Sequence, residues 1–446
     1  MSSFKYVIKR SGAKVPFKKE RIANAIFRAA VSVGGRNKQT AEKLAEEVLS
    51  NLEKRHPEGY EPHIEEIQDC VERTLIKNGH DQVAKTYILY REEKKKKRDE
   101  KARKASAPSG NIPWSKLWNI LDWTIDHDLH TSEAINKHIQ NGRFPHVIHE
   151  CEELYQEDIS MAAKMIAERS KDLRMVFVSG PSSSGKTTST IKLEEKLNKI
   201  GLKFKAFVVD NYFFDLAMHP KDEYGDYDFE TPQALDIQLI NEHISRLCEG
   251  EEVSIPFYDF KTGTRFLNRT KMKLAPNEIL LIDSLHGLFP PMSESIPDQQ
   301  KFKVYIESLL QVKDSKGNYI RWSDIRLMRR MLRDASHRAY KPQQTLEHWH
   351  YVRASEMRHI IPNQCHADYI ISSGMPYELP LYKARLFAEF EKWKDAYKND
   401  PEREDAHLRA QRIYEMLHEF LAVPDDSPVP QDSVLREFIG GSVYRY

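Results

Sequence analysis

Apolar and polar residues interleave over residues 4–10 as in a short strand. Ser11-Gly12 offers a turn, and residues 15–17 resume the extended pattern. Ile22, Ala25, Ile26, Ala29 and Ala30 then recur at helical spacing. The same period predicts helices over 40–52, over 63–77 with Ile64, Ile67, Val71 and Leu75 on one face, and over 82–91. Residues 1–92 thus read as a compact α-rich unit. Residues 112–170 also read as helical, with Trp114, Trp118 and Trp123 early and an apolar stretch at 159–166. From Arg174 the pattern changes to short continuous apolar runs, at 175–178, 204–209, 279–282, 302–306 and 369–372, with a helix predicted at 187–200. Runs of that kind between helices predict a parallel sheet covered on both faces. Residues 381–421 are again helical in pattern. VPDDSPVP breaks it, and SVLREFIGGSVYRY closes the chain.

At roughly 150 residues per domain, 446 residues make two to four domains. Hydrophobic residues are 40% and charged residues 30%, an ordinary globular composition. Lys+Arg is 68 against 67 Asp+Glu, so the chain lacks the basic excess of a nucleic-acid footprint, and no nucleic-acid partner is expected. No apolar stretch approaches a membrane span, and the first residues carry no apolar signal core. Cys70, Cys151, Cys248 and Cys365 lie far apart with no CxxC pair, which argues against a disulfide framework or a cysteine zinc site. A reducing, cytoplasmic setting is the expectation. Residues 91–104 hold nine basic against four acidic residues, either a solvated helix running into a linker or a patch for an anionic partner. His127, His130, His138, His146 and His149 match no zinc spacing.

The chemistry begins at Gly180-Pro-Ser182-Ser183-Ser184-Gly185-Lys186-Thr187, which fits G-x-x-x-x-G-K-[ST] between a predicted strand and a predicted helix. Glycines let backbone N–H groups curl around phosphates, and the helix N-terminus adds positive potential. Lys186 can reach the β- and γ-phosphates of ATP and the Thr187 hydroxyl can ligate Mg²⁺, with Thr188 completing the nucleotide-binding stretch. A P-loop gives nucleotide binding without choosing a reaction. Asp210, at the end of the next strand, faces the crevice where ligands bind, either to take a proton from an attacking hydroxyl or to hold Mg²⁺. The clusters Asp228-Phe229-Glu230-Thr231-Pro232 and Pro256-Phe257-Tyr258-Asp259-Phe260, in loop-like surroundings, suit a nucleoside pocket or ordinary core packing. Arg326, Arg329, Arg330 and Arg333 share one helical stripe, fit to clamp phosphates or to form surface salt bridges.

GPSSSGKTT, DNYF, DFETPQALD, PFYDFKTGTR, IDSLHGLF and DIRLMRRMLRD, in that order over residues 174–375, resemble the uridine kinase / phosphoribulokinase family of P-loop kinases. The resemblance implies an α/β fold and ATP·Mg²⁺-dependent phosphorylation of a sugar hydroxyl, foremost the 5′-OH of a nucleoside. It implies Asp210 as general base, Lys186 and Thr187 as triphosphate and Mg²⁺ contacts, and Asp283 as a second Mg²⁺ contact. Tyr212, Phe229, Glu230 and Tyr258 fall at its nucleoside pocket, and Arg326, Arg329 and Arg333 at its lid and phosphate contacts, Arg329 with a catalytic part. The sequence departs from the family in having Glu230 for an Asp, Asp283 for a strand-end Glu, and no His in Lys261-Thr262-Gly263-Thr264. The Leu-His-Gly after Asp283 and Ser284 is closer to the phosphoribulokinase pattern. The closing SVLREFIGGS resembles the tail of a uridine-kinase-like bacterial subgroup.

Lys9-Arg10-Ser-Gly, Arg21-Ile22 and the stretch from Val83 to Arg91 resemble the ATP-cone, a regulatory nucleotide-binding domain. That implies Lys9, Arg10, Arg21 and Ile22 as contacts to effector ATP or dATP, and a homo-oligomer. The expected organisation is a small, mostly helical cone at 1–93, a charged linker at 94–111, a helical connector at 112–172, a P-loop kinase domain at 173–380 and a helical extension at 381–446. The alternatives left open are a kinase of another sugar or sugar phosphate and a nucleotide-binding regulator without catalysis.

Overall fold

The computed structural model describes residues 4–8, 14–35, 37–57, 59–89, 112–220, 227, 230–337, 341–400 and 403–445. The chain divides into two compact units, residues 1–109 and 110–446.

The first unit opens with strands β1 (Tyr6–Ile8) and β2 (Lys14–Pro16), paired antiparallel. Helices α1 (Lys19–Ser32), α2 (Lys38–Glu53), α3 (Ile64–Lys77) and α4 (81–89) follow. The helical spacing does what it predicted: α2 buries Ala41, Leu44, Ala45, Val48 and Leu52, and α3 buries Ile67, Cys70, Val71 and Leu75. Those stripes meet Phe4, Ile22 and Ile26 in one core. The ends of the helices are set locally. Asn37 accepts from the Thr40 N–H, and Glu66 reaches back to the His63 N–H at 3.0 Å, closing a capping box on α3.

The second unit starts with α5 (Trp114–Asp126), α6 (Ser132–Gln140) and α7 (Phe144–Arg169). Its sheet is wholly parallel, in the order β4 (Lys203–Ala206), β7 (Glu278–Asp283), β3 (Met175–Ser179), β8 (Lys301–Glu307), β9 (Tyr369–Ser372). Alternate residues of β3 face opposite cores: Val176 and Val178 one, Met175 and Phe177 the other. Both faces are therefore dry, as the continuous apolar runs require. The chain runs from β3 to one side of the sheet, then returns to the other, so the crevice at the carboxyl end of β3 lies at a topological switch point.

Three expectations change. Residues 112–172 do not stand apart as a connector, because Ile135, Tyr155, Ile159 and Ile166 share one core with Phe302 and Val304. The extension joins it too, through Leu386, Phe390, Leu417, Val434 and Phe438, on helices α12 (Glu378–Ala396), α13 (Glu404–His418) and α14 (Arg436–Ile439) and the chain between them. Finally, PFYDF is a strand. It belongs to β5 (Glu252–Asp259), which pairs antiparallel with β6 (Thr264–Lys273). The ladder shifts register between Ile255 and Phe257, where Pro256 has no N–H to give. Among the described residues no helix is long and apolar enough to cross a membrane.

Replacing Glu66 by Ala should cost the first unit about 1–2 kcal/mol by opening the capping box. Calorimetry of the full chain should show the first unit's transition lowered and the second unit's transition in place.

Candidate active site

The P-loop joins β3 to helix α8 (Lys186–Lys199). At Gly180 a Cβ would lie 2.1 Å from the Ile306 carbonyl oxygen, so the loop can approach β8 only with glycine there. Gly185 takes φ 84° as α8 begins, and a Cβ would lie 2.4 Å from Val434 Cγ2. Lys186 Nζ donates to the Pro181 carbonyl at 3.1 Å, folded back over its own loop, while Thr187 is exposed at the mouth.

Asp283 closes β7 directly opposite Val178 of β3, which puts its carboxyl beside Lys186. Asp210 lies in the 3₁₀ turn Val209–Tyr212 that follows β4, since the strand ends at Ala206, short of the predicted run. Burial raises the Asp283 carboxyl to about 6; Lys186 opposes the rise, while the charges of Glu437 and Asp210 add to it. Burial also raises Asp210, again opposed by Lys186, and lowers the Lys186 ammonium, which Asp283 in turn supports. Asp210 is nonetheless open to solvent and Asp283 and Lys186 are partly so, as at the floor of a cleft walled by protein. His286, buried beside them, is pushed down to about 3 by burial and then by His359, so its ring is neutral.

Helix α10 (Trp322–His337) carries the arginine stripe, and its tertiary partners divide it. Arg326 and Arg329 are fully buried. Arg326 pairs with Glu307 at 2.8 Å and with Glu356 through both terminal nitrogens, and donates to the Ser182 carbonyl of the P-loop at 3.0 Å. Arg329 pairs with Glu378 at 2.8 and 2.9 Å and donates to the Ser373 carbonyl at 2.6 Å. Their expected contact with phosphate is not what this arrangement provides: carboxylates saturate both guanidiniums, which brace the loop from behind. Arg330 and Arg333 reach the front. Arg330 donates to Ser182 Oγ at 3.0 Å and lies 3.7 Å from Glu230, and Arg333 lies 3.7 Å from Glu437. Arg330 was legible as part of the stripe, but its position at the mouth was not.

The segment after Asp210 and the β5–β6 hairpin meet in an aromatic cluster. Tyr258 packs on Phe213 and Phe260 at ring separations of 5.5 and 4.9 Å, with His219 at 6.2 Å. Phe260 stays exposed. Asp215 accepts from the Arg265 N–H and Asn211 from the Tyr258 N–H, tying the β5–β6 hairpin to the segment after Asp210. Tyr212 leaves the expected pocket: it is wholly buried, donating to or accepting from His243 Nδ1 at 2.8 Å. Glu230 is held by Ser355, which donates to its carbonyl. Phe229 lies outside the described residues, as do Lys9 and Arg10. Arg21 is exposed, and Ile22 is in the first unit's core. His219, His286 and Glu437 escaped the sequence reading. Glu437 sits in the closing motif and His286 in the Leu-His-Gly, both visible without a role; His219 had no local signal.

Residues 175–379 match the model of the Phosphoribulokinase / Uridine kinase family, and residues 5–96 match that of the ATP cone domain. A uridine kinase of Deinococcus deserti is 26% identical over 201 residues, 45% of this chain and 87% of that protein. One of Borrelia duttonii is 28% identical over 216 residues, 48% and 94% of the two chains. A solved structure described as a "Possible Uridine Kinase from Bacillus stearothermophilus" is 22% identical, covers 33% of this chain and 79% of that one, and has a TM-score of 0.28.

Replacing Arg326 by Ala strands the buried Glu307 without its cation and leaves Glu356 to Arg353 alone, a loss of about 3–5 kcal/mol. The second unit should melt earlier, and amide exchange at 181–184 should rise. Replacement by Lys should recover only part of both, having no fork to hold Glu356 and Ser182 together.

Proposed function

We propose, from the premise that residues 175–379 are a Phosphoribulokinase / Uridine kinase family domain and residues 5–96 an ATP cone domain, that this small-molecule kinase transfers the γ-phosphoryl group of ATP to a sugar hydroxyl, foremost the 5′-OH of a nucleoside. The observation that carries the reading is the trio at the carboxyl end of the sheet. Lys186 stands between two carboxyls, Asp210 and Asp283, both pushed upward by the same cleft. A carboxylate so raised is a better proton acceptor than one in water.

In this reading Asp210 takes the proton of the attacking hydroxyl. Lys186 leaves the Pro181 carbonyl to meet the β- and γ-phosphate oxygens, and α8 presents its N-terminus to them. The exposed Thr187 hydroxyl and the Asp283 carboxyl, one hydroxyl and one carboxylate at a phosphate site, fit Mg²⁺, which takes few protein ligands beside phosphate and water. When bound, Mg²⁺ neutralises charge on the phosphate oxygens. The exposed Phe260, backed by the buried Tyr258 and His219, offers a face for a base, and Glu230 a carboxylate for ribose hydroxyls. The cone supplies a second nucleotide site, for effector ATP or dATP. A sugar-phosphate acceptor is the second reading, favoured by Arg330 at the mouth beside Glu230.

A coupled ADP-release assay over ribo- and deoxyribonucleosides and sugar phosphates tests the reading. One acceptor should release ADP, and its absence with every acceptor would overturn the proposal. Asp210→Asn should lower turnover roughly 10²–10⁴-fold with ATP affinity kept. Unchanged turnover would remove Asp210 as the base.

The pH dependence has a fixed sign. Asp283 loses its proton near about 6, so the group that can hold Mg²⁺ gains charge as pH rises through that value. The apparent affinity for Mg²⁺ in turnover should rise from pH 5 and level off about one unit above the transition. Asp283→Asn should flatten this limb and raise the Mg²⁺ requirement.

A further inference from the structure

The closing segment, conspicuous in sequence and without a role so far, lies against the P-loop. Val434, Leu435 and Phe438 are fully buried, and Phe438 stacks on Arg329 at 5.1 Å. Arg436 staples the turn by donating to the carbonyls of Asp426 and Val429 at 2.8 and 2.9 Å. Lys192 of α8 pairs with Asp432. The result is that Glu437 Oε2 accepts from the Thr188 hydroxyl at 2.7 Å and from the Thr188 N–H at 3.4 Å. This N–H is in the first turn of α8, where the unsatisfied amides and the helix dipole attract an anion. The other Glu437 oxygen lies 3.7 Å from Arg333, and its charge is felt by both Lys186 and Asp283.

From this geometry we infer that Glu437 is a built-in gate on the nucleotide site: its carboxylate holds the α8 anion position and must leave Thr188 when a triphosphate enters. The inference rests on the donor-site reading given above. A carboxylate and a phosphate compete for the same donors, and two anions cannot share them without a protonated or cationic partner between. The movement required is small. Arg333 already lies beside one carboxylate oxygen, so rotation away from Thr188 leaves the charge paired while the buried side chains of the segment stay in place. The gate therefore sets how tightly the empty site takes nucleotide, and it links the occupied site to the arginine face of α10.

Calorimetric titration of the full chain with ATP and Mg²⁺ tests this, using the Lys186→Ala chain as background for nucleotide taken elsewhere. Glu437→Gln keeps the shape and removes the charge. It should tighten binding at the P-loop roughly tenfold, the scale of one like charge removed at the edge of a phosphate site, even where the nucleotide-free chain melts earlier. Affinity that is unchanged or weaker would overturn the gate and make Glu437 a brace of α8, whatever happens to the melting temperature. If neither the wild-type chain nor Glu437→Gln binds above the Lys186→Ala background, the donor-site reading itself falls, and the gate with it.

Discussion

Two guanidinium groups sealed away from water hold the catalytic end of the second unit together. Arg326 and Arg329 lie on successive turns of α10, with side chains 1% and 0% exposed. A lone buried cation would be prohibitive, so each must be matched, and the matching fixes where other elements lie. Glu307 ends β8, Glu356 follows helix α11 (Pro342–Ser355), and Glu378 opens α12. Through Ser182 and Ser373 the same two side chains reach the P-loop and the end of β9. One helix thus ties together the ends of five elements of the chain. Hydrophobic residues of equal size could fill that space, but they would not fix the directions of the loop carbonyls.

With its back fixed in this way, the loop can present a cleft whose electrostatics are set by crowding. Asp210, Asp283 and Glu437 surround Lys186, and none is far enough into solvent to be fully screened. Burial in the cleft raises the Asp210 and Asp283 carboxyls and lowers the Lys186 ammonium, the direction expected of partly desolvated groups. Such a site is poised to take up charged ligands that rebalance it. The hairpin β5–β6 and the turn after Asp210 add an aromatic cluster, joined by side-chain contacts to main-chain N–H groups, so the hairpin and the Asp210 turn form one body.

The P-loop, the strand-helix alternation and the helical faces of the first unit were readable in the sequence because each depends on near neighbours. A Gly-Lys-Thr turn after an apolar run and an i, i+3, i+4 stripe are local facts. The places where reading and structure part are long-range ones. Tyr212 and Tyr258, both expected to line a pocket, are drawn into one core, where His243 on helix α9 (Ile237–Cys248) meets the Tyr212 hydroxyl, and Phe260 beside Tyr258 stays exposed. PFYDF reads as loop-like, and pairing with β6 makes its residues 256–259 one side of a hairpin.

The sequence by itself determined that there would be a phosphate loop at 180–187, a parallel sheet behind it, an acidic strand end at Asp283 and four arginines on one stripe. It could not decide which arginines face the loop. All four lie within an arc of about 100° on α10, so helical geometry treats them nearly alike. The choice was made by glutamates 19, 30 and 49 positions away, whose pairing with Arg326 and Arg329 took those two out of reach and left Arg330 and Arg333 at the mouth. The position of Glu437, 249 residues from Thr188, was settled in the same way, by burial of Val434, Leu435 and Phe438 in a core that forms only when the chain's end returns to the loop. Burial of charge and of apolar surface are properties of the assembled chain, and no local pattern encodes them.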